Sequence, residues 1–358
     1  MIRDVSGMCM TPDDSVREAI VCIDKNEGRI ALITDKKKRL IGTIVDGDIR
    51  RAIHAGLDLD TPVSKLLARK ANSPYAKPIT MPVGTDRGVL LKLMRDHLIR
   101  QIPLLDEDES VVGLITLDEL LPNQVLPLNA VIMAGGFGTR LRPLTEEVPK
   151  PMLPIGERPL MELMVERLQK SGIRQVNVTT HYQKERIAEH FGDGQKFGVK
   201  INYVTEDRPL GTAGSLGLME VPKEPLLVIN GDILTGVDFR DMLDYHQEHN
   251  AAMTVAVWKY DVNVPYGVIE SDGALVQGIV EKPVLNFFVN AGIYLLEPSV
   301  FCHISGKDKL DMPDLIQFLI DDGEIVVSFP IIEYWLDIGN HSDYIKAQED
   351  TKNGKVNT

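Results

Sequence analysis

The sequence has no run of the roughly eighteen apolar residues that a membrane span requires. Its first residues, MIRDVSG, also lack the long apolar core of a signal peptide. These two absences predict a protein that does not insert into a membrane and that works in the cytoplasm.

Paired cysteines and an excess of positive charge are lacking too. The three cysteines, Cys9, Cys22 and Cys302, are scattered without C-x-x-C spacing, so neither a disulfide framework nor a zinc site is predicted. Lys and Arg number 39 against 52 Asp and Glu, which gives a formal net charge of −13. Because nucleic-acid surfaces depend on clustered Lys and Arg, no nucleic-acid partner is expected. An anionic substrate would need locally concentrated positive charge.

A glycine-rich turn follows an apolar strand near the middle of the chain. The segment that begins at Ala130 reads AVIMAGGFGTRLRPLT, with glycines at Gly135, Gly136 and Gly138. Glycines remove the β-carbons from the turn, so that backbone N–H groups can approach phosphate oxygens closely. The turn therefore predicts a phosphate-binding loop.

Basic side chains follow this loop and indicate which kind of phosphate site it forms. Arg140 offers a planar fork for two phosphate oxygens, and Lys150 offers a compact point charge. A dinucleotide G-x-G-x-x-G motif is excluded because Leu141 stands at its last position and Pro143 would break the following helix. The Gly-Lys-Ser/Thr ending of a Walker loop is absent as well. The remaining interpretation is a site whose backbone amides and basic side chains bind a triphosphate.

The run from Gly135 to Pro154 resembles the signature of sugar-1-phosphate nucleotidyltransferases, Rossmann-like enzymes that join a nucleoside triphosphate to a sugar phosphate. The resemblance implies that Arg140 and Lys150 bind the triphosphate, and it implies a nucleotidyltransferase domain over residues 128–350. Alternating strand and helix patterns from residue 129 favour a mainly parallel α/β sheet. The implied nucleotide-binding residues of the loop are Ala134, Gly135, Gly136, Gly138 and Thr139.

Two aspartates are candidates for holding a metal ion. Asp232 follows an apolar strand, at the same sheet edge as the glycine loop, and a carboxylate beside a triphosphate suits Mg²⁺. Downstream, the segment WLDIG resembles the W-x-D-x-G pattern of the same transferases, which implies that Asp337 is the second metal ligand. The predicted cofactor is therefore Mg²⁺ on Asp232 and Asp337.

Further segments resemble those with which the family binds the nucleobase and the acceptor sugar phosphate. The implied base-contacting residues are Leu210, Gly211 and Thr212. The implied sugar-phosphate residues are Tyr266, Gly267, Glu281, Lys282 and Asn290. Lys282 would hold the sugar phosphate, whose charge must be screened from the triphosphate before the two anions can meet. Lys282 thus joins Arg140, Lys150, Asp232 and Asp337 in the predicted catalytic set.

The first third of the chain contains a weak internal duplication, over about residues 8–60 and 76–124. Each copy reads as helix, strand, polar turn, strand and helix, with Gly42 and Gly113 at equivalent turns. The pattern over residues 1–124 resembles a tandem pair of CBS domains. That resemblance implies either a module that binds an adenosine-type nucleotide or one that only dimerises.

Neither CBS copy has a complete nucleotide motif. The first copy keeps Asp48, which would hold a ribose, but has Val45 where a hydroxyl is expected. The second copy keeps Thr116 but has Glu119 at the acidic position. An adenine nucleotide at this pair and a homo-oligomer formed through it are both left open.

The sequence predicts transfer of a nucleoside monophosphate from a triphosphate to a hexose 1-phosphate, with release of pyrophosphate. GTP and a mannose- or glucosamine-type sugar are favoured, because the segment LGTAG, which begins at Leu210, and Asn230-Gly231-Asp232 resemble those of enzymes that act on these substrates. These enzymes include CBS-linked guanylyltransferases of nonulosonic (legionaminic) acid pathways. Thymidylyl or uridylyl transfer to glucose 1-phosphate is the alternative reaction. A catalytically inactive regulatory or scaffold protein is the alternative of a different class.

Overall fold

The computed structural model describes residues 4–26, 29–71, 75–121, 125–181 and 183–356. The chain forms two compact units, Met1–Val125 and Leu126–Thr358. The predicted end of the CBS pair, at residues 122–124, lies outside the described residues.

The first unit contains two three-stranded sheets, each built from a short strand and an antiparallel hairpin. Each hairpin lies between two helices, so the two halves have the same order of elements. The first half contains β1 (Cys9–Met10), α1 (Val16–Lys25), β2 (Ile30–Thr34), β3 (Leu40–Val45), α2 (Asp46–His54) and α3 (Val63–Lys70). The second half contains β4 (Met81–Pro82), α4 (Arg87–Asp96), β5 (Gln101–Leu105), β6 (Val111–Thr116) and α5 (Leu117–Leu120).

Helices α1 and α4 begin one residue after side chains that cap them. The Ser15 hydroxyl accepts the Glu18 N–H, and the Asp86 carboxylate accepts the N–H groups of Gly88 and Val89. Such caps satisfy amide groups that have no partner in the first turn of a helix. Ser15 and Asp86 therefore precede these helices as their caps.

The second unit is built around a seven-stranded sheet of the order β11-β10-β7-β12-β17-β14-β18. The first four strands in this order, from β11 to β12, are parallel to one another, whereas β17 is antiparallel to both β12 and β14. The strands of the unit are β7 (Asn129–Met133), β8 (Pro154–Ile155), β9 (Arg158–Pro159), β10 (Gln175–Thr180), β11 (Lys200–Thr205), β12 (Leu226–Asn230), β13 (Ile233–Thr235), β14 (Met253–Asn263), β15 (Val268–Asp272), β16 (Leu275–Val280), β17 (Val284–Leu296), β18 (Val326–Pro330) and β19 (Trp335–Asp337). The helices are α6 (Leu160–Lys170), α7 (Lys184–Phe191), α8 (Gly211–Gly214), α9 (Phe239–Glu248), α10 (Met312–Asp321) and α11 (His341–Lys352).

Both faces of this sheet are covered by helices. Apolar side chains of α6, α7 and α9 pack on one face, and those of α8 and α10 pack on the other. Central parallel strands buried on both faces read as continuous apolar runs, which is what β7 and β12 show. The short helix α8 is followed directly by a 3₁₀ turn, Ser215–Leu218.

The carboxyl ends of β7 and β12 lie side by side, with Met133 opposite Asn230. Ligands of open α/β sheets bind at this edge. No helix within the described residues has the length and apolar character needed to cross a membrane.

Candidate active site

The glycine loop, residues Ala134–Gly138, follows β7 and is anchored at its last residue. Gly138 adopts a left-handed conformation with φ of 62°, and its carbonyl accepts the Thr145 hydroxyl at 2.7 Å. At Gly136, a β-carbon would meet nothing within 4 Å apart from its chain neighbours. The loop is therefore fixed at Gly138 and open at Gly136, where a phosphate can approach the backbone.

Asp232 is brought to this loop by a close approach of two backbones. The Gly231 N–H donates to the Met133 carbonyl at 2.9 Å, and a β-carbon on Gly231 would lie 2.6 Å from that oxygen. Only glycine permits this contact between the ends of β7 and β12. The carboxylate of Asp232, the next residue, thus lies beside the start of the glycine loop.

Lys150 and Asp232 form a partly buried ion pair. The distance from Nζ to Oδ2 is 2.5 Å, and the lysine side chain is 12% exposed. A triphosphate entering the site would compete with Asp232 for this ammonium group. The two predicted catalytic residues therefore lie in one place, although 82 positions separate them in the sequence.

Asp337 reaches the same place through a short antiparallel ladder. Strands β13 and β19 pair with Ile233 opposite Asp337, and the Ile338 N–H donates to the Asp232 carbonyl at 3.0 Å. The ladder explains how a residue 105 positions downstream becomes a neighbour of Asp232. Sequence spacing alone could not show this proximity.

The carboxyl group of Asp337 experiences the charges of the other candidates. Burial and, less strongly, the negative charge of Asp232 raise its pKa to about 6, although Lys150 and Arg140 oppose the rise. Four of the five predicted catalytic residues thus share one electrostatic neighbourhood. Two carboxylates held close together in a partly buried site favour a cation between them.

The donor set suits a hard cation that takes its other ligands from a substrate. No cluster of three or more His, Cys, Asp or Glu side chains in the described part of the chain could hold a metal ion by itself. Mg²⁺ is usually held by one or two carboxylates together with phosphate oxygens and water. Asp232 and Asp337 fit that pattern.

Glu206 is a site residue that the sequence analysis did not single out. It follows β11, is buried, and its Oε2 accepts the Leu210 N–H at 2.9 Å. A β-carbon on Gly135 would lie 3.0 Å from its Oε1, so the carboxylate borders the glycine loop. Its position at the end of a parallel strand was the available signal. The Leu210 amide, predicted to contact the base, is engaged by this carboxylate.

The loop after Leu210 is fastened to the segment before α10. The Thr212 N–H donates to Asp311 at 3.3 Å, and the Thr212 hydroxyl accepts the Met312 N–H at 2.8 Å. Gly211 has φ of 81°, and a β-carbon there would lie 2.5 Å from the Asp311 carboxylate. Among the three predicted base-contacting residues, only the Gly211 amide has no partner within the described residues. Through these two hydrogen bonds, Thr212 anchors the loop.

The predicted acceptor residues cluster with one another at the root of the hairpin β15–β16. The Lys282 N–H donates to the Tyr266 carbonyl at 3.3 Å, and a β-carbon on Gly267 would lie 2.8 Å from the Glu281 carboxylate. Tyr266 is 75% exposed. Within the described residues, no hydrogen bond or ion pair joins Glu281 or Lys282 to the Asp232–Asp337 pair. Tyr266, Gly267, Glu281 and Lys282 therefore form a group apart from the two aspartates.

Asn290 is linked to Asp232 through Tyr294. Its Oδ1 accepts the Gly292 N–H at 2.9 Å, and its side chain also hydrogen-bonds Tyr294. Burial raises the pKa of Tyr294 to about 12 against the effect of that bond, and the charge of Asp232 adds to the rise. Tyr294 was not predicted as a site residue. It lies within electrostatic reach of both Asn290 and Asp232.

In the first unit, Asp48 is already occupied by basic side chains of its own chain. Its carboxylate is 3% exposed and accepts from Lys70 at 2.6 Å, from Arg51 at 2.9 Å and from the Val45 N–H at 3.1 Å. Lys70 also donates to the Thr43 carbonyl. A ribose could bind Asp48 only after Lys70 and Arg51 had moved away.

Thr116 has a comparable structural role in the second copy. Its hydroxyl accepts the Glu119 N–H at 3.3 Å, while the Glu119 carboxylate accepts the Thr116 N–H at 2.9 Å. This reciprocal pair caps α5. The replacement of Asp by Glu in this copy therefore completes a helix cap.

The fold and the grouped residues define a nucleotidyltransferase domain preceded by a CBS pair. The sequence model of the nucleotidyl transferase family matches residues 129–354, and the CBS domain model matches residues 1–55 and 73–124. The chain belongs to the nucleotidyl transferase family, whose members typically use a divalent metal. The predicted fold class, a CBS pair followed by a mainly parallel α/β domain, is confirmed.

Among curated proteins, the chain is similar to the mannose-1-phosphate guanyltransferase of Kluyveromyces lactis, with 35% identity over 230 residues that cover 62% of this chain and 63% of the relative. It is 33% identical to the mannose-1-phosphate guanylyltransferase catalytic subunit beta of Danio rerio, over 61% of this chain and 63% of the relative. The chain thus spans less than two thirds of the length of these relatives.

Two solved structures share the fold of the second unit. HddC from Yersinia pseudotuberculosis, complexed with GMP-PN, matches with a TM-score of 0.50 and 27% identity over 62% of this chain and 99% of that chain. A Bacillus anthracis protein assigned as a glucose-1-phosphate thymidylyltransferase, in complex with sucrose, matches with a TM-score of 0.52 and 27% identity over 62% and 94%.

Proposed function

We propose that the protein transfers a guanylyl group from GTP to a hexose 1-phosphate of the mannose or glucosamine type and releases pyrophosphate. One observation carries this proposal: Arg140, Lys150, Asp232 and Asp337 share one electrostatic neighbourhood beside the open glycine loop. Membership of the nucleotidyl transferase family and the guanylyltransferase relatives support it.

The proposed roles follow from charge and position. Arg140 and Lys150 neutralise the pyrophosphate as it departs, while Lys282 holds the acceptor phosphate. An oxygen of the sugar phosphate attacks the α-phosphorus in line, forms the new P–O bond, and displaces pyrophosphate with the electrons of the broken P–O bond. The attacking phosphate is already an anion at neutral pH, so the step requires neither a general base nor a covalent intermediate on the protein.

Asp232 and Asp337 are the proposed ligands of Mg²⁺. When bound, the ion supplies positive charge to the triphosphate oxygens. The two carboxylates would hold the ion beside the glycine loop, and Lys150, now paired with Asp232, would be available to a phosphate. The raised pKa of Asp337 supports a site built for a cation, because burial and the adjacent charge of Asp232 both disfavour ionisation of Asp337 when no cation is bound.

Glu206 and Gly211 support the choice of guanine. The pairing edge of guanine presents two adjacent donors, N1–H and the amino group, followed by the O6 acceptor. A carboxylate accepts from both donors, and a free backbone amide serves O6. Uracil and thymine present one donor between two acceptors, so the same carboxylate would face a carbonyl oxygen. The Glu206 carboxylate and the Gly211 amide therefore match guanine better.

A screen of pyrophosphate release tests the proposal. The purified protein is incubated with Mg²⁺, each of the common nucleoside triphosphates, and a panel of mannose, glucosamine and glucose 1-phosphates. GTP with a mannose- or glucosamine-type acceptor is expected to give the highest kcat/KM. Preference for dTTP or UTP with glucose 1-phosphate would instead support the alternative reaction, which the B. anthracis relative favours.

The class of inactive regulatory or scaffold proteins is tested by the same screen. Release of pyrophosphate with none of the combinations would remove the enzyme hypothesis. The presence of all five predicted catalytic residues argues for an active enzyme. The link to nonulosonic sugars, the cytoplasmic location and homo-oligomer formation stay predictions.

Binding of an adenine nucleotide at the CBS pair also stays a prediction, and it would require a rearrangement around Asp48. Binding at Asp48 needs Lys70 and Arg51 to release the carboxylate. Calorimetric titration of AMP and ATP into the unmodified protein and into Asp48→Ala tests it, together with transfer rates. If neither nucleotide binds or changes the rate, the CBS pair acts without this ligand.

A further inference from the structure

The end of β10 lies between the two parts of the site that a nucleotide must reach. In the sheet, β10 is the neighbour of both β7 and β11, so it separates the glycine loop from Glu206. Backbone bonds join it to both sides. The Ala134 N–H donates to the Thr179 carbonyl at 3.0 Å, and the Glu206 N–H donates to the Thr180 carbonyl at 3.1 Å. The next residue is His181, which has no role in the reaction proposed above.

The His181 side chain continues this bonding beyond the end of the strand. Its Nδ1 lies 2.9 Å from the carbonyl oxygen of Glu206. Because a carbonyl oxygen only accepts hydrogen bonds, Nδ1 carries the proton of this bond. Both backbone groups of Glu206 are therefore bonded to Thr180 and His181, while its carboxylate accepts the Leu210 N–H. Glu206 is thus held at three points.

The same ring also borders the glycine loop. A β-carbon on Gly135 would lie 3.7 Å from the Cβ of His181. The rings of Phe137 and His181 meet edge to face, with centroids 5.5 Å apart and planes at 88°, a geometry in which aromatic rings attract each other. Phe137 is 46% exposed, so His181 supplies a contact that orients a largely open side chain. His181 therefore contacts the loop between Gly136, where it is open, and Gly138, where it is anchored.

His181 differs from a histidine that only stabilises the core. His246 is 1% exposed, and its two ring nitrogens are bonded to Thr254 and Glu297. His181 is only partly buried and stands at the carboxyl edge of the sheet, where ligands of such sheets bind. Its contacts go to the two groups that line the nucleotide site.

The glycine loop and Glu206 act on different parts of one ligand in the proposed function. Amides of the loop bind phosphate oxygens, and the Glu206 carboxylate accepts from the two donors of guanine. One nucleotide satisfies both only if the distance between them is right, because hydrogen bonds weaken steeply when their geometry departs from the ideal. Binding groups are commonly held to within about 0.5 Å by side chains behind them.

We propose that His181 is a positioning residue that fixes the glycine loop and Glu206 relative to each other, so that one nucleoside triphosphate meets both. The inference rests on the proposed function, in which Glu206 recognises guanine. The two contacts of His181 use different features of the side chain. The Nδ1–H group sets the position of Glu206 and hence the choice of base. The ring orients Phe137 and hence affects the binding of every triphosphate.

Two substitutions separate these features. His181→Asn keeps a donor, because its Nδ2 takes the place of Nδ1, but it removes the ring. His181→Phe keeps a ring beside Phe137 but has no donor. Calorimetric titration in the presence of Mg²⁺ measures the dissociation constants of GTP and UTP for the unmodified protein and for both variants. The KM for sugar 1-phosphate is expected to stay unchanged in both.

The two variants are expected to differ in selectivity. In His181→Phe the ratio of the affinities for GTP and UTP should fall by about 10-fold, as expected for one lost hydrogen bond. In His181→Asn the ratio should stay the same, while both nucleotides bind about 2- to 10-fold more weakly, as expected for a lost aromatic contact. His181→Ala lacks both features and should show both effects. It replaces either variant that does not fold, as judged by circular dichroism.

Equal affinity ratios in His181→Phe and His181→Asn overturn the proposal, because His181 would then only stabilise the fold. If the unmodified protein binds nucleotides but releases no pyrophosphate, the proposed function fails, while the affinity ratios still decide this inference. A protein that prefers UTP would contradict the proposed choice of base. His181→Phe must then weaken that preference, and His181→Asn must keep it.

Discussion

The two substrate halves of the candidate site are built in different ways. The triphosphate half stands on the ends of β7 and β12 and on the β13–β19 ladder, with Lys150 and Asp232 paired in a partly buried position. The acceptor half lies on an exposed arm, residues 259–288, which consists of the outer halves of β14 and β17 and the hairpin β15–β16. Tyr266, at the bend of this arm, is 75% exposed. The first half is thus preorganised by the core of one chain. The positions of the acceptor residues depend instead on the stability of the arm.

The largest effect is expected from breaking the preorganised half. Asp232→Asn removes a proposed metal ligand and leaves the Lys150 ammonium without its carboxylate partner. We expect kcat to fall by about 10²- to 10³-fold, the size found when one group that stabilises transition-state charge is lost. Steady-state pyrophosphate release measures the effect.

Asp321→Asn is the matched control, because Asp321 is exposed at the end of α10, away from the sheet edge that carries Asp232. It should leave kcat unchanged. A rate for Asp232→Asn within threefold of the unmodified protein would contradict the proposed metal site.

A smaller and more selective effect is expected in the acceptor half. Lys282→Ala removes the proposed partner of the sugar phosphate, and a lost charge-assisted hydrogen bond corresponds to about a 10- to 100-fold change in binding. The KM for sugar 1-phosphate should rise by this factor while the KM for GTP stays constant. Lys259→Ala, on β14 of the same arm, is the control. Equal rises of both KM values would show that Lys282 does not distinguish the two halves.

The base-binding edge of the triphosphate half can be tested by changing one atom. Glu206→Gln replaces one carboxylate oxygen by a donor group, which opposes the two donors of guanine but suits a carbonyl of uracil or thymine. We expect the ratio of kcat/KM for GTP to that for UTP to fall by about 10-fold, as expected for a single hydrogen bond in a binding site.

Asp207→Asn, at the exposed neighbouring position, should leave the ratio unchanged. If Glu206→Gln lowers activity with every nucleotide equally, the carboxylate only holds Leu210 in place.

The same contrast explains what the sequence could predict. Strand ends carry local signals, so the glycine loop, Asp232 and the order of strands and helices were readable from apolar runs and turn residues. The proximity of Asp232 and Asp337 depends on a ladder between distant segments, which no spacing rule reveals. It was available only through the family resemblance.

The hydrogen-bond and ion-pair partners of the candidate side chains also could not be predicted from the sequence. Thr212 and Asp48 carry the residue types that the motifs require, yet Met312 and Lys70 engage them in the structure. Glu206 was overlooked because a lone carboxylate after a strand is an ordinary feature. The exposure of the outer half of β14 also could not be foreseen, because the alternation in its sequence WKYDVN predicts a strand with one covered face.

The smallest expected effect concerns a histidine at the buried ends of β14 and β17. His246 of α9 is hydrogen-bonded to Thr254 of β14 at 2.7 Å and to Glu297, just after β17, at 3.0 Å. Burial lowers the pKa of His246 below its usual value of 6.5, and Glu297 opposes the shift without cancelling it. Between the usual and the lowered pKa, the unfolded chain binds more protons than the folded chain. The free energy of unfolding should therefore fall as the pH drops below about 6.5, by at most about 1.4 kcal/mol per pH unit from this group.

His246→Gln removes the titrating group and should make the pH dependence of unfolding shallower in that window, as measured by urea denaturation between pH 5 and 8. His249→Gln, on the same helix and bonded through Nδ1 to the Tyr245 carbonyl, is the control. A slope that stays the same in His246→Gln would mean that other groups govern acid stability. A shallower slope would show that a neutral His246 stabilises the fold through its bonds to β14 and to Glu297.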